Sequence, residues 1–140
     1  MANNYISDLT TPEAIQRIWE KGIIVDGYNA SLYRQDFAGA WISREAYGDT
    51  DNILGWEIDH VYPEELGGGN HIENLRPMNW RNNRSKGTDY PHYTAVVTSE
   101  ENKNIYRDTA CTVSDALQTT LQKLYLSLIH ISEPTRHSLI

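Results

Sequence analysis

Asp59 and His60 are adjacent, and Asn83 and Lys86 follow at the i, i+3 spacing that puts two side chains on one face of a helix. These residue types make a kit for hydrolysing a phosphate ester. Histidine, with an ordinary pKa of about 6.5, suits a base that deprotonates water at neutral pH. A carboxylate and an amide oxygen are hard ligands, enough for an ion such as Mg²⁺ that keeps several of its waters. Such a cation neutralises charge at the phosphate and at the leaving 3′ oxygen. Lys86 offers a charge for phosphate, while Arg81 and Arg84 share a second helical face suited to backbone phosphates on either side. Arg76 belongs to the same short basic stretch, where Asp89 is the nearby acid.

These groups can act together only if the chain converges them. Residues 56–60 read as a strand, in which strict alternation sends Asp59 and His60 to opposite faces. They can serve one site only where the chain leaves the strand, and Pro63 and the Gly-Gly-Gly-Asn run at 67–70 place that exit shortly afterwards. Residues 72–78 contain a second strand, with Pro77 tolerated on a short edge. Asn79 caps a short helix over 80–86 that Gly87 ends. Strand, glycine loop, strand and short helix make a ββα unit.

The stretch from Trp56 to Lys86 resembles the HNH (ββα-metal) endonuclease motif: DH, a GG loop, NL, then N or H with K three positions on. The resemblance implies an α+β domain built on a ββα-metal site with flanking helices and short strands. It implies metal-dependent hydrolysis of DNA phosphodiester bonds, with His60 as general base and Asp59 and Asn83 as ligands of one divalent ion, Mg²⁺ or else Mn²⁺. Asn74 matches the asparagine that steadies the His60 loop by hydrogen bonding and counts with His60 among the catalytic positions. Arg76, Arg81, Arg84 and Lys86 would contact nucleic acid. One such site cuts one strand per engagement, so a monomer would nick. Cleavage would slow below about pH 6, because a protonated imidazole cannot accept a proton. Residues 19–91, including YRQDFAGAWISREAYG, resemble the flank of small stand-alone bacterial and phage HNH proteins.

Two departures stand out. Many HNH relatives carry two CxxC pairs around a structural zinc, whereas Asn79 and Asn82 stand where one pair would sit. No structural zinc is therefore expected, and packing of Trp56, Leu75 and Trp80 must hold the unit. The last motif position is asparagine rather than histidine, which favours a hard metal.

The remaining elements must frame this unit. Thr11, Pro12 and Glu13 read as N-cap, first helical position and first-turn acid of a helix whose Ile15, Ile18 and Trp19 share a face and which Gly22 stops. Residues 23–25 read as a short β-branched run ending at the Asp26-Gly27 turn. A strand is expected within 38–42, a helical turn at 43–47, and a weakly alternating strand at 93–98. Thr112 or Ser114 opens an amphipathic helix with Val113, Leu117, Leu121 and Leu124 on one face.

The 140 residues suffice for one domain, expected over 1–125, with 39% hydrophobic residues. Nine tyrosines and four tryptophans against one phenylalanine put polar handles on much of the apolar area. A net charge of −7 argues against bulk electrostatic binding of nucleic acid, so the basic stretch must act locally. The single cysteine, Cys111, excludes an intrachain disulfide and reads as a small buried hydrophobe. The first residues show no signal peptide, and no run approaches the roughly 18 apolar residues of a membrane span, so a cytoplasmic protein is expected.

Residues 126–136, LSLIHISEPTR, match the in-frame translation of a transposase-type sequencing adapter. Residues 126–140 are therefore read as a non-functional tail, His130 and His137 included. Glu57 either faces the metal or pairs with an arginine, and His71 and His92 read as bystanders. The rival reading is a nucleic-acid-binding module or adaptor without catalysis.

Overall fold

The computed structural model describes residues 4–125; the adapter-like tail lies outside them. Helix α1 spans Pro12–Trp19, α2 Trp80–Lys86 and α3 Asp115–Leu124. Strands run β1 Tyr33–Gln35, β2 Trp41–Ser43, β3 Trp56–His60, β4 Leu75–Asn79, β5 His92–Glu100 and β6 Lys103–Thr112. Among the described residues the strands pair as antiparallel hairpins, β1–β2, β3–β4 and β5–β6, giving a mixed α+β architecture.

Local chemistry sets the helix ends. Thr11 accepts from Ala14 N–H at 3.1 Å, Asn79 from Arg81 N–H at 3.0 Å and Ser114 from Leu117 N–H at 3.2 Å. Gly87, at φ +54°, closes α2 with its N–H on the Asn83 carbonyl. The strand, glycine loop, strand and helix expected over 56–87 are present in that order, with β3 and α2 at the expected bounds.

Three expectations are corrected. Residues 23–25 are not a strand; Ile23 alone bridges Gln35. The strand sought in 38–42 is β2, because a tight turn occupies 36–40: Gly39 sits at φ +90° and Asp36 Oδ1 accepts from Ala38 and Ala40 N–H. The second strand begins only at Leu75, after a 3₁₀ turn at Ile72–Asn74 whose carbonyl end Lys21 caps through the Ile72 and Leu75 oxygens. Strand β6 was not expected at all; it lies largely exposed, so no apolar alternation marks it.

Two apolar cores flank the β3–β4 hairpin. Ile18, Trp19, Ile42, Trp56 and Leu75 fill one, with the Trp19 and Trp56 rings 5.4 Å apart. Val61, Tyr62, Met78, Tyr93, Val113 and Leu121 fill the other, where α3 docks its apolar face, with Leu117 and Leu124 against it. Trp56 and Leu75 are wholly buried as expected, but Trp80 is half-buried and lies outside both clusters, donating to the Asn52 carbonyl.

Asn79 and Asn82 converge on Asp36. Its Oδ2 accepts from Asn79 N–H at 3.0 Å and from Asn82 Nδ2 at 3.1 Å. Asn82 also bonds β5: its Oδ1 accepts from Val96 and Val97 N–H and its Nδ2 donates to the Val97 carbonyl, across the bulge between Ala95 and Val97. Burial pushes the Asp36 carboxyl above the usual carboxylate range, while the four N–H donors pull the other way. This buried polar knot fastens the 36–40 turn, α2 and the β5–β6 hairpin together.

Candidate active-site cleft

The β3–β4 register pairs Asp59 with Arg76 and His60 with Leu75. His60 is the last residue of β3, so its ring turns out with the departing chain while Asp59 stays buried. A cleft of about 350 Å³ opens between that exit and α2, lined by Asp59, His60, Glu64, Glu65, Asn83 and Arg84 among others. The structure therefore brings Asp59, His60 and Asn83 to one cavity.

Asp59 is held by two cations. Its Oδ2 lies 3.1 Å from Arg76 Nε and its Oδ1 3.2 Å from Lys86 Nζ. Lys86 also donates to the His60 carbonyl at 3.2 Å, and Arg76 to the Tyr93 hydroxyl at 3.1 Å. Burial pushes the Tyr93 phenol up to about 12 against the opposing pull of Arg76. The expectation that Arg76 and Lys86 meet phosphates is corrected: both are buried, since strand register and helix packing aim them at Asp59.

His60 Nε2 lies 2.8 Å from Asn70 Oδ1 and 3.6 Å from Glu64 Oε2. An amide oxygen can only accept, so Nε2 carries the proton in this contact and Nδ1 keeps its lone pair. Asn74 is fully buried beneath the loop. Its Oδ1 accepts from Tyr62 N–H at 2.7 Å, and its Nδ2 donates to the Tyr62 and Gly69 carbonyls, each at 3.0 Å. The glycine loop passes so close that a Cβ on Gly68 would stand 1.8 Å from the Tyr62 oxygen. Asn74 thus positions the His60 exit without itself lining the cleft.

On the helix side, Asn83 Nδ2 donates to Glu57 Oε1 at 3.0 Å, which turns Asn83 Oδ1 away as an uncommitted acceptor. Glu57 also takes Arg84, with Nη2 2.8 Å from Oε2, and these hydrogen bonds hold the guanidinium above its usual range. Glu57 therefore pairs with an arginine. Arg84 lies exposed at the cleft mouth, whereas Arg81 lies off the cleft, between the Trp80 and Tyr106 rings at 4.4 and 5.3 Å.

The other singled-out residues lie elsewhere. His71 Nδ1 meets the Tyr125 hydroxyl at 2.9 Å, His92 Nδ1 meets Thr112 Oγ1 at 3.0 Å, and Cys111 is a half-buried free thiol. Sequence reasoning missed Asn70 as the partner of His60. Its position after three glycines reads only as a turn, and no spacing rule points from it to the histidine.

Among the described residues no three His, Cys, Asp or Glu side chains gather as a metal-ligand set. The hard donors at the cleft are the Asp59 carboxylate and Asn83 Oδ1. Both line the cleft and are donor types that a hard, hydrated ion takes; each Asp59 oxygen keeps a lone pair beyond its cation partner, although Arg76 and Lys86 already offset the carboxylate charge. Comparison of the chain with protein-family models, curated proteins and solved structures gives no match. No described helix is long and apolar enough to cross a membrane.

Proposed function

We propose that the protein is a metal-dependent endonuclease of the HNH type, hydrolysing phosphodiester bonds in DNA at the Asp59–His60–Asn83 cleft. The observation that carries this reading is the meeting of these three residues on one cavity, with the Nδ1 lone pair of His60 left uncommitted.

His60 Nδ1 accepts a proton from water, and the resulting hydroxide attacks phosphorus opposite the 3′ oxygen. The phosphorus–oxygen bond breaks, leaving a 5′ phosphate and a 3′ alkoxide that takes a proton from solvent. Asp59 and Asn83 are the residues that would hold a divalent ion, which would supply charge neutralisation at the phosphate and the departing oxygen. Asn70 fixes the His60 tautomer, Asn74 fixes the loop, and Glu57 fixes the Asn83 amide. Arg84 is the basic residue of the expected set that lines the cleft with its charge exposed.

The reading is tested by nicking of supercoiled plasmid with Mg²⁺ or Mn²⁺, using wild-type and His60→Ala. Cleavage should need the ion and be lost in the variant; full activity in His60→Ala would remove His60 as the base. Binding of DNA with no cleavage under any divalent ion would favour the adaptor reading.

A further inference from the structure

Next to the cleft, cations and rings alternate on the outer face of α2 and β6. Arg84 lines the cleft and its guanidinium lies 5.7 Å from the Trp80 ring. The Arg81 guanidinium lies 4.4 Å from the same Trp80 ring and 5.3 Å from the ring of Tyr106. Tyr106 is 69% exposed, the most exposed large hydrophobic side chain among the described residues. A further cavity of about 130 Å³ opens here, lined by Ile53, Arg81, Val97, Ile105 and Tyr106 among others.

Arg81 is the informative member. It has no carboxylate within ion-pair reach among the described residues, although the chain carries 19 acidic residues. Its Nε is buried with no acceptor. A guanidinium stacked on rings yet lacking an anion is poised for an external one, and phosphate matches its planar fork.

We propose that Arg84, Trp80, Arg81 and Tyr106 form a track for an unpaired nucleic-acid strand leading to the cleft, its bases stacking on Tyr106 and Trp80 and its phosphates meeting Arg81. The connection to cleavage rests on the nuclease reading above; the binding itself does not. A duplex keeps its base faces stacked inside, so exposed rings select an unpaired strand. The acidic body supports the same choice, because stacking can carry affinity where net charge opposes it.

The experiment is fluorescence titration of the whole protein with oligothymidylate, or with a duplex of equal length, in EDTA so that nothing is cleaved. Trp19, Trp41 and Trp56 are buried and Trp80 is half-buried, so stacking at the track should quench Trp80. Oligothymidylate should bind more tightly than duplex. Tyr106→Ala should weaken it at least about fivefold, and Tyr106→Phe should restore it. With two arginines in contact, the slope of log affinity against log salt should be no steeper than about −1.4. Equal affinity for duplex, or unchanged affinity in Tyr106→Ala, would overturn the track. Ring-dependent binding without plasmid nicking would instead overturn the nuclease reading and leave the track standing.

Discussion

The His60 imidazole and the Asn70 amide meet at 2.8 Å, Nε2 against Oδ1, and this contact decides which ring nitrogen is available for chemistry. With Nε2–H given to Asn70, Nδ1 is the nitrogen that can take a proton. Replacing Asn70 by Ala should let the ring change tautomer and orientation. On the proposed nuclease reading, the expected outcome is a fall of about 10–100-fold in nicking kcat with little change in KM, checked by plasmid nicking at saturating metal.

Glu57 orients Asn83 from the opposite side. In Glu57→Gln the glutamine amide can present its own N–H to Asn83, so the Asn83 amide loses its fixed direction and Arg84 its partner. Apparent Mg²⁺ affinity should weaken by about 10–100-fold, read as a shifted metal dependence of nicking. An unmoved metal titration would remove Glu57 from the orienting role.

Lys86 separates two readings of one charge. A phosphate contact would, on loss, flatten the salt dependence of DNA binding by about one unit of slope. As the buried partner of Asp59, Lys86→Met should instead cost about 3–5 kcal/mol of stability, because Asp59 keeps its burial and loses a cation. Urea unfolding alongside a salt titration distinguishes these, and we expect the stability loss.

Asn82 makes four hydrogen bonds, to Asp36, to the Val97 carbonyl and to two N–H groups of the β5 bulge. Asn82→Ala strands those buried groups and should lower stability by about 3 kcal/mol or more. The measurement is the urea midpoint with the slope held constant.

Lys21 gives stability a pH dependence. Burial, aided by Arg76, lowers its amine to about 8 from the ordinary 10.5. The unfolded chain then binds more protons between those values, so this contribution to stability grows as pH rises from about 8 and is lost as pH falls through it. Tyrosines with raised values, Tyr93 foremost, oppose it near pH 10 and above. The difference between wild-type and Lys21→Met should therefore shift in favour of wild-type from pH 8 to 9.5, in paired urea melts.

The legible parts of the fold were those governed by local rules. Caps at Thr11, Asn79 and Ser114 and the stop at Gly87 depend on a few neighbouring residues, and the elements they bound lie close to where propensity puts them. Strand β6 was illegible because its partner β5 carries the buried alternation. At the site, residue types pointed to the cleft through Asp59, His60 and Asn83. Arg76 and Lys86 misled because a basic residue reads the same in sequence whether it faces solvent or a buried carboxylate. Asn70 and the Asp36 knot depend on contacts between distant loops, which no periodicity encodes.

The pairing of Asp59 with Arg76 and of His60 with Leu75 makes the proposed chemistry depend on alignment. Sliding β3 past β4 by a single position would turn the imidazole inward and strand the carboxylate in water. Asn74 guards against that slip, since its grip on Tyr62 and Gly69 fits only one alignment. The same slip would carry Trp56 out of its core, so Asn74→Ala should lower the urea midpoint together with any nicking.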